Sequence, residues 1–489
     1  VGGVMQNPGT DFTVASSTLT FTTAPASGLD FWGLIQGDAV DINTPADSSV
    51  TSAKIVDGAI VNADINASAA IAGSKLADNA IGLAQMASGT DGNLITYDAS
   101  GDPAHVATGS SGQVLTSNGA GAAPTFQTST SAGSFRNLII NGAMQVAQRA
   151  TSSTTAGYGS LDRFQGVSGG GEEACTHSQH ALTSSDTGPW AAGFRNSFHL
   201  QNGNQTGGAG SNDYAYIGYT IEAQDIATSG WDYNSASSYL TLSFWVKSSV
   251  AGQQYGYLYT ADGTSQGFSF SVGNLSADTW SKVTVNIPGH ANLTFDNDNG
   301  GGLYMYWGPH WGSDYTNSGN TLLTWAAYSS SNRTPDFPTT WWTTNDATFE
   351  ITGVQLELGD TATDFEHKTY ADELRRCQRY FWMYADGGQV TSSSVADGRF
   401  LSGAEVDFMV TFPTTMRSTP SIYQVTGDNY FKIMASGYTG YCDGNWTLQY
   451  AHRNGTSHYQ GPDTSGSTNL PVQVIINNSS ARLGYQAEL

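Results

Sequence analysis

"YLTLSFWVKSS" (239–249) alternates apolar and polar residues, and the fold turns on how often that rhythm returns. It returns in "DYAYIGYTIE" (213–222), "QYGYLYTA" (254–261), "GFSFSVG" (267–273) and "TWSKVTVNIPG" (279–289). Three more runs follow: "GLYMYWG" (302–308), "TLLTWAAY" (321–328) and "ATFEITGVQLELG" (347–359). A period of two sends successive side chains to opposite faces of a strand. Roughly ten such strands at short intervals, parted by turns, predict a jelly-roll-like β-sandwich.

The composition agrees. The chain has 489 residues, enough for several domains, and a charged fraction of only 12%, about half the ordinary globular share. Glycine (58 residues), serine, threonine, asparagine and aromatics take its place. Disorder couples low hydrophobicity to high charge density, so a β-rich, turn-rich protein is expected instead. Eighteen basic residues stand against 41 acidic ones, for a formal charge of −23. That balance argues against nucleic acid, whose phosphates need clustered Lys and Arg. It suits the solubility of a large exposed surface. Cys175, Cys377 and Cys442 are odd in number and far apart, so free, mostly buried thiols are expected rather than a disulfide framework or a zinc site. No apolar window approaches the length of a membrane span. The first residues, "VGGVMQNPGTDF", read as the middle of a domain that an N-terminal segment precedes.

Outward from the sandwich, the chain changes character several times. Residues 1–35 alternate around an Asn7-Pro8-Gly9 turn and predict short strands. In "IVDGAIVNADINASAAIAGSKLADNAI" (55–81) the large apolar residues are Ile55, Ile60, Ile65, Ile71, Leu76 and Ile81, followed by Met86. A five-residue step holds neither one helix face nor one strand face. It fits identical chains wrapped around a shared axis, with these seven residues inward. A helical sub-pattern, Ile65, Ala69, Ala72, Leu76, Ala80 and Leu83, leaves a short coiled coil open as the alternative to an extended thread. Residues 91–133 predict short strands at Leu94–Tyr97, 113–117 and 125–127 between Gly-rich turns. "YADELRRCQRYFWMY" (370–384) predicts one helix, with Leu374, Cys377 and Phe381 on a common face. Residues 386–489 predict a final β domain.

Several phrases resemble bacteriophage tail fibres of the podophage type. They are the opening "VMQNPGTDFTVASSTLTFTTAPASG", the shaft phrase "GNLITYDASGDP…GQVLTSNG" and, most specifically, "LSFWVKSS" and "ITGVQLELGDTATDFEHKTYADELRRCQRYF". The resemblance implies an elongated, mainly β, multi-domain homotrimeric fibre. Its parts would be the end of a virion-anchoring domain (1–40), a repetitive trimeric shaft (41–90), a Gly-rich β shaft module (91–133), a carbohydrate-binding-module-like sandwich (134–368), a linking helix (369–385) and a β tip (386–489). It implies attachment of the virion to a host surface polysaccharide or lipopolysaccharide, with other tail proteins at the N-terminal end. No cofactor and no membrane insertion are expected.

Within that frame the candidate glycan-binding residues are aromatic, because ring faces stack on the C–H faces of sugars. Trp311, Tyr315, Trp341 and Trp342 lie in loop-like contexts of the sandwich, whereas Trp307 and Trp325 read as core. Tyr438, Tyr441 and Trp446 lead a second set in the tip, with Tyr430, Tyr450 and Tyr459 near them. Other motifs read blandly. "GTSQG" (263–267) precedes a strand, so it predicts a hairpin turn rather than a nucleophile elbow. "HSQH" (177–180) reads as a surface loop. "DNDNGGG" (296–302) offers Asp296 and Asp298 as calcium candidates but lacks a distal glutamate. No catalytic residue stands out, and the expectation is a chain that is not an enzyme. A polysaccharide depolymerase is the rival, needing two carboxylates roughly 5 to 9.5 Å apart; a structural tail joint is the third reading.

Overall fold

The computed structural model describes the chain apart from residues 35–44, 72–90, 99, 101–102, 111–112, 129–135 and 391, and the side chains of residues 62, 103, 128, 389, 390 and 438. The described chain is mainly β and divides into two compact units, Val1–Asn93 and Leu94–Leu489.

The first unit opens on a hairpin, β1 (Phe12–Ala15) and β2 (Thr18–Phe21), with Phe12 opposite Phe21. Beyond it the five-residue step takes a form that is neither coiled helix nor strand. Backbone N–H groups of Lys54, Ala59, Asp64 and Ala69 each bond the carbonyl three residues back. The chain therefore makes one tight turn every five residues, two of them 3-10 turns at Ser52–Lys54 and Asn62–Asp64. Ile55, Ile60, Ile65 and Ile71 stand exposed on the single chain. Leu76, Ile81 and Met86 lie outside the described residues.

The second unit begins with two antiparallel hairpins: β3 (Leu94–Tyr97) with β4 (Pro103–Val106), and β5 (Gln113–Thr116) with β6 (Thr125–Thr128). β3, β5 and β6 fall on the short strands that the sequence predicts, and β4 is an addition to them.

The sandwich follows. Its strands are β7 (Ser152–Ser153), β8 (Phe164–Gly169), β9 (Thr176–Ala181), β10 (Asn196–Gln201) and β11 (Tyr214–Glu222). After the short helix α1 (Ala223–Ala227) come β12 (Tyr239–Ser248), β13 (Gly252–Thr260), β14 (Gln266–Leu275) and β15 (Ser281–Pro288). The long β16 (Gly301–Trp311), the short β17 (Trp325–Ala327) and β18 (Thr348–Leu358) complete it. Two six-stranded sheets result, in the orders β15-β12-β18-β10-β9-β7 and β17-β14-β13-β16-β11-β8. The "GTSQG" segment is the turn between β13 and β14, as expected. Alternate residues of both sheets meet in one buried cluster: Leu240, Leu242 and Phe244 of β12, Ile351 of β18, Phe268 and Phe270 of β14, and Met305 and Trp307 of β16. Trp307 and Trp325 are core residues, as expected.

Helix α2 (Tyr370–Cys377) is shorter than predicted. The Thr369 hydroxyl caps it by accepting from the Asp372 N–H. The chain then leaves the helix, because Phe381 to Tyr384 suit a strand and their backbone pairs elsewhere. They form β19 (Phe381–Asp386), antiparallel to the last strand of the chain. Phe381 therefore does not share a helical face with Leu374 and Cys377.

After α3 (Gly387–Val390) the tip contributes β20 (Ser394–Ser402), β21 (Glu405–Thr411), β22 (Ser421–Val425), β23 (Phe431–Ala435) and β24 (Tyr438–Cys442). It ends with β25 (Thr447–His452), β26 (Gly455–Gln460), β27 (Pro471–Ile476) and β28 (Arg482–Gln486). A seven-stranded sheet, β24-β23-β27-β20-β21-β26-β25, packs with the three-stranded β19-β28-β22 over a second core. Buried ion pairs lock the tip to the sandwich. Arg379 forks onto Glu222 at 2.7 and 2.6 Å, and Arg163 and Arg149 donate to Glu488 at 2.7 and 3.3 Å. Such charges are stable in a low-dielectric seam only as pairs. All three cysteines are buried free thiols. Among the described residues no helix is long and apolar enough to cross a membrane.

Candidate functional site

The sheet that carries β13 has two unlike faces. Leu258, Met305, Ile217 and Phe268 point into the core. The residues between them point away, and in three adjacent strands these are tyrosines: Tyr214 and Tyr216 on β11, Tyr304 and Tyr306 on β16, Tyr257 and Tyr259 on β13. Opposite registers bring them side by side, Tyr257 facing Tyr306 and Tyr259 facing Tyr304.

The rings form a ladder. Tyr304, Tyr259 and Tyr328 stack in parallel, with centroids 4.6 and 4.5 Å apart and planes within 21°. Tyr328 lies over Gly267 of β14, where a Cβ would sit in ordinary contact 3.4 Å from its ring. Parallel stacking covers ring faces with neighbouring rings, and several of these tyrosines remain half-exposed. Edges and hydroxyls are what a ligand meets. Burial pushes the Tyr216 phenol up to about 12 and raises Tyr257 and Tyr306 as well. These hydroxyls stay protonated at neutral pH and can donate hydrogen bonds.

A register shift between Ala215 and Ile217 on one strand and His310 and Trp307 on the other turns Trp311 onto this face, while His310 goes inward to stack on Trp342. The bulge leaves Gly308 where a Cβ would fall 2.4 Å from the Trp311 indole nitrogen. Trp311 stacks on Tyr216 at 4.9 Å, and Tyr315 meets it edge-on at 5.8 Å. The Arg333 guanidinium sits 4.9 Å from the Trp311 ring and 4.7 Å from Tyr315. Beside it a cavity of about 220 Å³ is lined by Tyr257, Ser269, Asn320, Tyr328, Asn332 and Arg333. The loop that carries these groups is pinned: Leu323 N–H bonds the Ser269 carbonyl at 2.7 Å, and the Ser269 hydroxyl bonds the Arg333 carbonyl at 2.6 Å.

The aromatic residues singled out from sequence divide sharply. Trp311 and Tyr315 join this face, although Trp311 is itself buried. Trp341 and Trp342 do not: both are fully buried, their indole N–H groups donating to the carbonyls of Thr348 and Gly208. A pair of tryptophans in a Thr-rich loop reads as exposed, but here they plug the end of the core. Trp446 is likewise buried, edge-on to Phe408 at 4.9 Å. Tyr441 is half-buried on β24, and Tyr450 is exposed, with no ring partner among the described residues. The Tyr438 side chain lies outside the described residues. The tyrosine ladder and Arg333 escaped the sequence reading, although the signal was present: Tyr at every second position in "DYAYIGY", "QYGYLY" and "LYMYW".

The other motifs also find their places. His177 and His180 belong to β9 rather than a loop, because β9 pairs with β10 through both positions. His177 bonds the Ser160 hydroxyl at 2.7 Å, and His180 bonds Glu350 at 3.1 Å. Glu350 is buried and also meets Lys247 at 3.0 Å and Ser197 at 2.6 Å. Burial works to raise its carboxyl, but His180, Ser197 and Lys247 together hold it down at about 2. Asp298 accepts from the Gly300 N–H at 2.8 Å, and Asp296 N–H donates to Asp262 at 2.9 Å. The first is the bonding of an Asx turn, and the second ties the loop to the β13–β14 turn. Among the described residues no group of three His, Cys, Asp or Glu side chains is arranged to hold a metal ion.

No family model matches the chain, and no curated protein does. Among solved structures it is similar to the enzymatically active domain of tailspike protein 4 of bacteriophage CBA120, at 11% identity and a TM-score of 0.25, over 47% of this chain and 22% of that one. It is similar to a candidate sugar-binding protein from Bacteroides thetaiotaomicron at 13% identity and TM-score 0.25, over 46% of this chain and 100% of that one. A family 11 carbohydrate-binding module from Clostridium thermocellum, in complex with a mixed-linked tetrasaccharide, matches at 12% identity and TM-score 0.20, over 44% and 98%. At such scores none of these likenesses assigns the site or its ligand. The expectation of a chain that is not an enzyme is nevertheless corrected. The tailspike domain is described as enzymatically active, and a glycoside hydrolase domain and an exo-β-agarase also match, so the exclusion of catalysis is withdrawn.

Proposed function

We propose that the tyrosine face of the sandwich is a glycan-binding site, and that the chain serves as a bacteriophage tail fibre attaching the virion to a host-surface polysaccharide or lipopolysaccharide. One observation carries the binding reading. Six tyrosines from three adjacent strands, with Trp311 and Tyr315, converge beside a cavity edged by Asn320, Asn332 and Arg333. Protonated phenols and amides suit sugar hydroxyls, and aromatic edges and half-open rings suit sugar C–H groups. The tail-fibre reading rests on the sequence resemblance together with the five-residue turn repeat. Its exposed Ile55, Ile60, Ile65 and Ile71 are the surface that a threefold axis would cover. Three chains would then multiply a weak single-site affinity.

The test is adsorption of the purified chain to host-cell polysaccharide, compared with Tyr257→Ala and Tyr328→Ala. Loss of about tenfold or more in affinity, with folding retained by circular dichroism, is the expected result. Undiminished binding by both variants overturns the site. The same incubation, assayed for new reducing ends, reports whether bound glycan is also cleaved. Sedimentation tests the trimer: a stable monomer overturns it.

A further inference from the structure

Resting on the glycan reading above, we infer that this face selects an acidic glycan, with Arg333 as the residue that reads a sugar carboxylate. The arginines of the seam, buried Arg149 and Arg163 and half-buried Arg379, each meet a carboxylate. Arg333 is different. It is half-buried, its surroundings are the rings of Trp311, Tyr315 and Tyr257 with the neutral Tyr328 hydroxyl as a hydrogen-bond partner, and no carboxylate among the described residues pairs with it. Its Nε is buried without an acceptor. A guanidinium does not shed its proton, so the charge stands uncompensated in a partly desolvated site.

Aromatic faces stabilise such a cation only in part. A carboxylate answers the fork with two charge-assisted hydrogen bonds. The placement is built rather than incidental. The Arg333 N–H bonds the Tyr315 carbonyl at 2.9 Å, and its own carbonyl is held by Ser269. Both anchors keep the side chain at the cavity wall. At the cavity wall the Asn320 Nδ2 donates to the Asn332 Oδ1 at 3.0 Å, and the Asn320 Oδ1 is buried without a partner among the described residues. A sugar residue seated there would meet amides and the Tyr328 hydroxyl on its ring and Arg333 at its acid group. On a chain of net charge −23 the general field repels anions. One local cation at a low-dielectric wall is then what separates a wanted acidic sugar from the rest.

The experiment is an array of carboxylated, sulfated and neutral glycans, probed with the intact chain and with Arg333→Gln, Arg333→Lys, Tyr257→Ala and Tyr328→Ala. Expected hits are carboxylated glycans, lost by about tenfold or more in Arg333→Gln, partly kept in Arg333→Lys, and abolished when the same glycans are carboxyl-reduced. Hits confined to neutral or sulfated glycans, or carboxylated hits that survive Arg333→Gln, overturn the inference. Neutral hits that depend on Tyr257 and Tyr328 but not on Arg333 overturn acid selection and leave the glycan site standing. An array with no hit, or hits indifferent to the tyrosines, overturns both. An unchanged melting temperature of Arg333→Gln separates lost recognition from lost folding.

Discussion

The sandwich and the tip each carry a conspicuous set of aromatic residues, and they put them to opposite uses. In the sandwich the rings come from adjacent strands at every second position, so the pleat delivers them to the sheet face away from the main core, where half-buried tyrosines surround the buried Tyr257, Tyr306 and Trp311. In the tip they are scattered over separate strands and the turns before them rather than aligned on neighbouring strands. Trp446 sinks beneath Phe408 and Phe431, while Tyr450 stands alone in solvent. Shared composition thus produces a surface in one region and a core plug in the other. Register, rather than aromatic content, decides which.

The largest expected effect separates the two uses. Trp446→Ala removes a fully buried indole and should cost about 3–5 kcal/mol of tip stability. Glycan retention by the sandwich should be unchanged under conditions where the variant stays folded. Denaturant titration reads the first and the glycan array the second. A folded Trp446→Ala chain that no longer binds would make the tip part of the site and break the comparison.

What could be read from the sequence follows the same division. Two-residue alternation in "YLTLSFWVKSS" and its relatives announced a sandwich, because burial on one face leaves its mark at every second position. The same alternation of tyrosines marks the site, but alternation by itself shows only a strand. Only pairing order shows that β11, β16 and β13 are neighbours. Loop contexts misled in the other direction. Trp341 and Trp342 look exposed among threonines, and only the tertiary fold closes over them. The helix forecast over 370–384 failed at Phe381 because a strand more than a hundred residues later claims that backbone. Arg333 carries no motif at all; what marks it is the lack of a carboxylate partner, which is a property of the fold.

Acid should sharpen the contrast by a smaller amount. His310 in the sandwich and His458 in the tip are both buried, and burial pushes each down to about 4. Between pH 6.5 and 4 the unfolded chain binds the proton more readily than the folded one, so each contributes stability that is lost as pH falls through that window. At about 1.4 kcal/mol per unit the loss is on the order of 3 kcal/mol per histidine. In the sandwich His177 and His199, also lowered by burial, act in the same direction, and His180, raised by its bond to Glu350, acts against them. Asp162, raised to about 6 chiefly by burial, also opposes: its folded form holds the proton more tightly, so its contribution grows as pH falls toward 3.8. Glu350 then gives the sandwich a lower window, present above pH 4.5 and lost toward 2. Hydrogen exchange resolved by region should show the tip losing protection in the upper window and the sandwich continuing to lose it in the lower one. His458→Gln should flatten the tip's response, and a tip profile indifferent to that change would remove His458 as its cause.

The smallest effect bears on the tip's remaining claim to function. Tyr450 is 81% exposed and holds a φ of +55°, a left-handed conformation that disfavours a bulky side chain. Asparagine tolerates that region better, so Tyr450→Asn should stabilise the tip by a few tenths to about 1 kcal/mol, seen as a small rise in melting temperature. Strain retained at an exposed aromatic residue is one mark of a working site. If the gain in stability comes with undiminished adsorption to host cells, the strain is incidental and the sandwich face stands apart from the tip. If Tyr450→Asn stabilises the tip but weakens adsorption, the lone tyrosine is a second contact, and the two regions differ in geometry while sharing the task.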